Sequence, residues 1–501
     1  MKKFHLTVFS VLQMLLASCI VDPNANTNTQ TETTTQSMTQ TETATQSMTQ
    51  TETMTDSNTD TKTDTQVTMD IIPNATSEGR PYCRNAESDP DGDGWGWENS
   101  ASCIMYQGNS DPGVGNFDYC VVGEVQTTLC AADNGSWGLE NNNICLSQSM
   151  CPGMGNDIQT PIRVDLVNPN ANNKTQQVYD YLRSQWGNHM LSGIMDLTWD
   201  DSVDMEQRVI NDTGKSPAIM GYDFMNYGID NQFLGGLQQT EEAIAFWNKG
   251  GLISLTWHWR DPNVSGQTIG EFYTQTDSKP EGTAFEIPIS NNQLDVNSSD
   301  FANIINDIDL IAGELQKLET ANVPVLWRPL HEASGGWFWW GTANRTDDVP
   351  PAYAQILMWR YLYDRLTNHH GLNNLIWQWN GQSAAWYPGD EYVDITSYDV
   401  YATAQDYSSQ ISIYNETKMS SQEVKMVAMS ENSNIPDPDN MQADNAWWLY
   451  FLVWNDGYLS EGEGISHENN FWTGEHYNTN AHKQHIYNHD LVITLDELPN
   501  F

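Results

Sequence analysis

The sequence predicts an α/β chain: a (β/α)8 TIM barrel over residues 160–501, preceded by a small disulfide-stapled module and a disordered Thr-rich linker. Three observations carry this. From about residue 160 onward, short apolar runs alternate with longer amphipathic stretches, the pattern of repeated βα units. Every cysteine after Cys19 falls between Cys83 and Cys151. Between Cys19 and about residue 79 there is almost nothing aliphatic or aromatic, so that stretch has no core to bury.

Eight runs qualify as buried parallel strands: HMLSGIMD (189–196), PAIMGYD (217–223), LISLTWH (252–258), VPVLWRPLHE (323–332), NLIWQWN (374–380), YVDITSYD (392–399), VKMVAMSE (424–431) and LYFLVWN (449–455). Helical patterns such as FANIINDIDLIAGELQKLETA (301–321) separate them. The runs close on Asp196, Asp223, His258, His331-Glu332, Asn380, Asp399, Glu431 and Asn455. Parallel strands put their C-terminal ends on one face of a barrel, where barrel enzymes place their chemistry. One such residue is an ordinary polar strand end; eight in eight point to a site.

The first residues, MKKFHLTVFSVLQMLLASC, combine two lysines, an apolar core and a small-residue end. That is a secretion signal, too short for a membrane span. Leu16-Ala17-Ser18-Cys19 resembles the lipobox of bacterial lipoproteins, which implies a signal peptide over 1–18 and a lipid on the Cys19 thiol. The chain is then expected to be exported and anchored to the cell envelope or surface, or else secreted. Setting Cys19 aside leaves six cysteines, an even set that reads as three disulfides with the pairing open. Residues 19–79 repeat with a period of ten, TQTETTTQSM then TQTETATQSM, and read as a disordered tether. A flexible chain of ~60 residues reaches roughly 45 Å.

Composition narrows the partners. With Asp+Glu 66 against Lys+Arg 21, the formal charge is -45. That field repels nucleic acid and anionic membrane, and it disfavours acidic polysaccharides. A neutral polymer fits, and 20 Trp and 21 Tyr supply flat rings for stacking on sugar faces. The barrel contains no metal cluster, phosphate loop or nucleotide motif, so neither cofactor nor metal is expected, and a monomer is.

Hydrolysing a glycosidic bond takes two carboxyls across it: one protonated to help the leaving oxygen, one ionised to attack or to activate water. Glu332 closes the fourth run and Glu431 the seventh, ends that face one another across a barrel mouth. Glu423 precedes the seventh run and belongs to the opposite face. Arg328 is expected to pair with a strand-end carboxylate beneath the site, and Trp337, Trp339 and Trp340 to wall Glu332 and raise its pKa by desolvation.

WRPLHEASGGWFWWG (327–341) closely resembles the acid/base segment of glycoside hydrolase family 26. SGIMDLTWDDSVDM (192–205), PAIMGYDFM (217–225), YVDITSYDVY (392–401) and the WND of 454–456 resemble that family's other blocks in order. The resemblance implies a retaining endo-β-1,4-mannanase acting on mannan, glucomannan or galactomannan, with Glu332 as acid/base and Glu431 as nucleophile. It also implies substrate contacts at His258, His331, Trp337, Tyr401 and Trp454, with the Tyr401 hydroxyl on the nucleophile. Ser430-Glu431-Asn432-Ser433 lacks the Gly that usually follows the family's nucleophile. A minority of the family cleaves β-1,3-1,4-glucans or xylans. The contrasting class, a non-catalytic polysaccharide-binding surface lipoprotein, needs no carboxylate pair.

Residues 80–153 hold two related half-motifs, GWGWENSASC (94–103) and SWGLENNNIC (136–145). The second, within Cys120-x9-Cys130-x14-Cys145-x5-Cys151, resembles the family 10 carbohydrate-binding module, which implies cellulose as a further partner. Leu139 stands where that family has the second Trp; the first copy keeps both, Trp95 and Trp97. Asp89, Asp91 and Asp93 alternate before glycines as in the opening of a calcium loop, but no distal Glu stands at the EF-hand spacing, and the stretch reads as an acidic turn.

Overall fold

The computed structural model describes residues 82–83, 92, 94–98, 101–105, 108, 110–111, 119–122, 125–132, 135–151, 159–198, 203–227, 237–264, 270–457 and 469–501. The signal peptide, the tether and the Asp89, Asp91 and Asp93 carboxylates lie outside the described residues.

The barrel strands are β1 (Gly193–Met195), β2 (Ile219–Asp223), β3 (Leu252–Thr256), β4 (Val325–Arg328), β5 (Leu375–Trp379), β6 (Ile395–Val400), β7 (Met426–Asn432) and β8 (Phe451–Val453). They close in sequential order, each parallel to the next, and β8 returns to β1. Each of the eight apolar runs contains one. The runs are uninterrupted rather than alternating because both faces of a barrel strand are covered, one by core and one by helices; β7 is buried along its whole length.

The helices between them obey local rules. In the helix Ser299–Thr320, Phe301, Ile304, Ile308, Ile311, Leu315 and Leu318 are buried, the i, i+3/i+4 stripe that docks on a sheet. The Ser298 side chain accepts from Phe301 N and caps its first turn. Met205–Thr213 is capped by Asp204 and stopped by Gly214 at φ 78°.

Strand register aims the site. Where β6 meets β7 the ladder shifts by one residue after Tyr398, pairing Asp399 with Glu431. Such a bulge re-aims side chains at a barrel rim. Glu423 is bound by Arg163 and Lys425 ahead of β7, away from the strand ends that carry the carboxyls.

The Cys-rich region forms two small sheets. Trp95–Glu98 pairs with Ala101–Ile104, and a four-stranded sheet contains Trp137–Glu140 against Asn143–Leu146. The six cysteines pair as Cys83–Cys103, Cys120–Cys151 and Cys130–Cys145.

Candidate active site

Glu332 lies just past β4 with a left-handed backbone, φ 52°. A non-glycine residue pays for that conformation, and it persists only where its surroundings over-determine it. Here Glu332 N donates to Asn380 O at 2.7 Å and Ser334 N to Gly381 O at 3.2 Å, so the loop after β5 clamps the turn. Gly335 then leaves room for Trp337 to fold back: a Cβ there would stand 2.2 Å from the Trp337 ring. The Trp337 Nε1–H donates to Glu332 Oε2 at 2.8 Å, and the Gln382 amide donates to Oε1 at 3.3 Å.

Glu431 is held differently. Arg328 reaches it with Nη2 at 2.5 Å and Asp399 with Nη1 at 3.1 Å, and the Tyr401 hydroxyl donates to Glu431 Oε2 at 2.7 Å. Arg328 is fully buried; burial works against its charge, but Asp399 and Glu431 more than restore it. Burial, then the Glu431 charge, push the Tyr401 phenol far up, so it remains a proton donor.

One carboxylate oxygen from each of Glu332, Asp399 and Glu431 lies within 4.8 Å of the other two. Burial pushes the Glu332 carboxyl well up, and the charges of Asp399 and Glu431 push it further; Trp337 and Arg328 oppose them. Asp399 is also raised by burial, against Arg328. The three carboxyls have the spacing of a metal site, but the Arg328 guanidinium already supplies the positive charge between Asp399 and Glu431.

The sequence-predicted substrate contacts gather around this pair. His258 Nδ1 faces Asp223 Oδ2 at 2.5 Å, and Asp223 Oδ1 also accepts from His258 N at 3.0 Å. The other ring nitrogen, His258 Nε2, faces His331 Nε2 at 3.2 Å. His331 is fully buried, its pKa driven down by burial, so it lies one layer deeper than His258. The Trp454 ring stands 5.7 Å from His258. Trp337 and Tyr401 are half-buried and border the cleft. Beyond Trp337, whose carbonyl accepts from Thr274 N at 2.7 Å, an open pocket of about 530 Å³ is lined by Gln275, Thr276, Asp277, Pro280 and Asn344.

The desolvation expected at Glu332 is present, and the three tryptophans differ in how they meet the site. Of Trp337, Trp339 and Trp340, only Trp337 bonds the Glu332 carboxylate, and its N–H favours the ionised form rather than opposing it. Trp339 and Trp340 are 1% exposed and bond backbone carbonyls of Trp259 and His331. Sequence reasoning also left three partners unassigned: Asp223, which orients His258; Asp399, which shares Arg328 with Glu431; and Gln382, which reaches Glu332 from the next loop. The strand-end position of Asp223 and Asp399 was a signal for both; nothing marks Gln382.

A family model described as glycosyl hydrolase family 26 matches residues 167–497. A second, described as a cellulose or protein binding domain, matches residues 73–105. That match falls on the first half-motif rather than on Cys120–Cys151, where the cysteine spacing had suggested it. A mannan endo-1,4-beta-mannosidase of Thermothelomyces thermophilus is 40% identical over 344 residues, covering 67% of this chain and 64% of that protein. Mannan endo-1,4-beta-mannosidase B of Piromyces sp is 35% identical over 356 residues, 70% of this chain and 56% of its own length. Among solved structures, a beta-mannanase from a symbiotic protist of the termite Reticulitermes speratus, complexed with gluco-manno-oligosaccharide, superposes with a TM-score of 0.58 at 31% identity, covering 68% of this chain and 99% of that one. The Podospora anserina GH26-CBM35 beta-(1,4)-mannanase gives 0.56 at 37% identity, covering 69% and 71%. Strand order, paired carboxyls and a family match over most of the chain agree: the chain belongs to glycosyl hydrolase family 26.

Proposed function

We propose that the protein is a retaining endo-β-1,4-mannanase, with Glu332 as acid/base and Glu431 as nucleophile. The observation that carries this is that an oxygen of one carboxyl lies within 4.8 Å of an oxygen of the other. Carboxyls ~5–5.5 Å apart leave no room for water and suit direct attack, whereas inversion takes ~6.5–9.5 Å. The names of the relatives support the substrate: mannan endo-1,4-beta-mannosidases that match over 67% and 70% of this chain.

In the first step a Glu431 oxygen bonds the anomeric carbon while the glycosidic C–O bond breaks, and Glu332 passes its proton to the departing oxygen. In the second, Glu332 as carboxylate takes a proton from water, whose oxygen displaces Glu431 and restores both groups. Arg328 and Tyr401 offset the charge on Glu431 before attack and after release. Trp454, His258 and, through it, His331 form the wall on the glycone side; Trp337 flanks the leaving group.

Around this core, residues 1–18 serve as a signal peptide and Cys19 carries a lipid, holding a monomeric enzyme at the cell envelope on the 19–79 tether. The 80–153 region directs it to cellulose in which mannan is embedded; support comes from the binding-domain match at 73–105 and from Trp95, 39% exposed. The test is the product profile of the whole chain on mannan, β-1,3-1,4-glucan and xylan. Short manno-oligosaccharides with retained configuration are expected. Selective cleavage of either other polymer would overturn the substrate, and inertness on all three would overturn the enzyme.

A further inference from the structure

The two half-motifs of the Cys-rich region occupy the same place in their hairpins. Trp95 pairs with Ile104, and Trp137 with Leu146, across from the residues that follow Cys103 and Cys145. Their environments are opposite: Trp95 is 39% exposed and Trp137 only 1%. Trp137 is buried against the barrel, its ring 6.1 Å from Tyr353. Its indole N–H donates to Ala385 O at 2.6 Å, and the neighbouring Ser136 hydroxyl donates to Tyr387 O at 2.8 Å.

Both acceptors belong to one short segment, residues 380–387, which leaves β5. The other end of that segment is the clamp on Glu332: Asn380 O and Gly381 O accept from the Glu332 turn, and the Gln382 amide bonds the carboxylate. Gln382 is itself left-handed at φ 61°, a conformation that external contacts must maintain. Eight residues therefore connect an accessory module to the reacting carboxyl.

We infer that Trp137 and Ser136 are positioning residues for Glu332, acting through segment 380–387 and Gln382, so that the Cys120–Cys151 module braces the active-site loop. This rests on Glu332 being the acid/base. An N–H donor favours the ionised carboxylate, so loosening Gln382 raises the affinity of Glu332 for its proton. The other groups facing Glu332 are Asp399, Glu431, Arg328, Tyr273 and Tyr401, all outside segment 380–387. Of the side-chain donors to Glu332 the segment supplies Gln382, and Asn380 at its β5 end also bonds Ser430, which donates to Asp399.

The measurement is the pH profile of kcat/KM for mannopentaose hydrolysis by the whole chain, whose alkaline limb reports loss of the acid's proton in the free enzyme. Gln382→Ala is expected to move that limb up by about half a pH unit, the scale of one weak donor. Trp137→Phe keeps the ring but loses the N–H and is expected to move it the same way, by no more. The double variant should match Gln382→Ala alone, because the effects share one path. Ser136→Ala, a milder change, should give a smaller shift in the same direction. A lower Tm with an unmoved limb in both Trp137→Phe and Ser136→Ala, or additive shifts in the double variant, would overturn the brace. Glu332→Gln separates the two levels: if it retains activity and the limb, the acid/base assignment fails; if it is inactive while the module variants leave the limb unmoved, only the brace fails.

Discussion

The surroundings of Glu332 and Glu431 differ more than their shared burial suggests, at 4% and 3% exposure. Glu431 meets a buried guanidinium and a phenol, both donating. Glu332 meets an indole N–H and an amide, both neutral, and faces two other carboxyls. One side offers full positive charge, the other only dipoles. Placing a carboxyl among like charges in a dry site favours its protonated form, and Glu332 is so placed. The pair is divided by what each carboxyl touches, and the division supports the roles proposed for them.

The strongest way to break the comparison is to remove the members. Glu332→Gln should lower kcat on mannan by about 10²–10⁴-fold, the contribution of a general acid. Glu431→Gln should cost more, since no covalent route remains. Equal small losses would mean that neither carboxyl is in the reaction. Glu332→Gln also has a stability consequence of definite sign. A carboxyl whose folded pKa is raised binds its proton more tightly in the folded state, so stability falls as pH climbs from its unfolded value toward the folded one. The variant lacks that penalty and should melt higher than wild type at neutral pH, with the difference vanishing below about pH 4, where both forms are uncharged. A Tm below wild type at pH 7 would refute the raised pKa.

Next comes the charge that separates the two environments. Arg328→Met leaves Asp399 and Glu431 facing each other without a cation, and unpairing a buried charge costs about 3–5 kcal/mol. Urea unfolding should show that loss. Tyr401→Phe is gentler: it deletes one hydrogen bond to a carboxylate, about 1.5–3 kcal/mol. If the bond matters to attack, kcat should fall roughly 10–100-fold with KM little changed. A change confined to KM would make Tyr401 a substrate contact only.

How much of this was legible follows from physical scale. The eight strands were readable because barrel strands are buried on both faces, and the order of their polar ends placed Glu332 and Glu431 opposite each other. Arg328 was readable as a cation on a strand that otherwise reads apolar. Partners across loops were not. Asp223 is 35 residues from His258, and its strand-end position alone does not name the ring it meets at 2.5 Å. Gln382 lies in a polar loop that could serve any purpose. Trp137 shows the limit most clearly: its half-motif matches that of Trp95, and only tertiary contact decides that one ring is buried against the barrel and the other is 39% exposed. The Leu139 substitution indicated a changed role without saying which.

Trp337 gives the smallest and most diagnostic effect. Aromatic bulk near a carboxyl suggested that this residue raises the Glu332 pKa by excluding water. The structure aims its N–H at Oε2 from 2.8 Å instead, which favours the anion. The two roles differ in sign under one substitution. Trp337→Phe keeps most of the apolar cover but removes the donor, so the Glu332 pKa should rise and the alkaline limb of kcat/KM should move up by less than about one pH unit. If exclusion of water dominated, the smaller ring would admit solvent and the limb would move down. Because Trp337 is also proposed to flank the leaving group, KM on mannan should increase in either case. The direction of the limb, not the loss of activity, therefore decides whether the neutral donors around Glu332 work against the carboxyls that raise it.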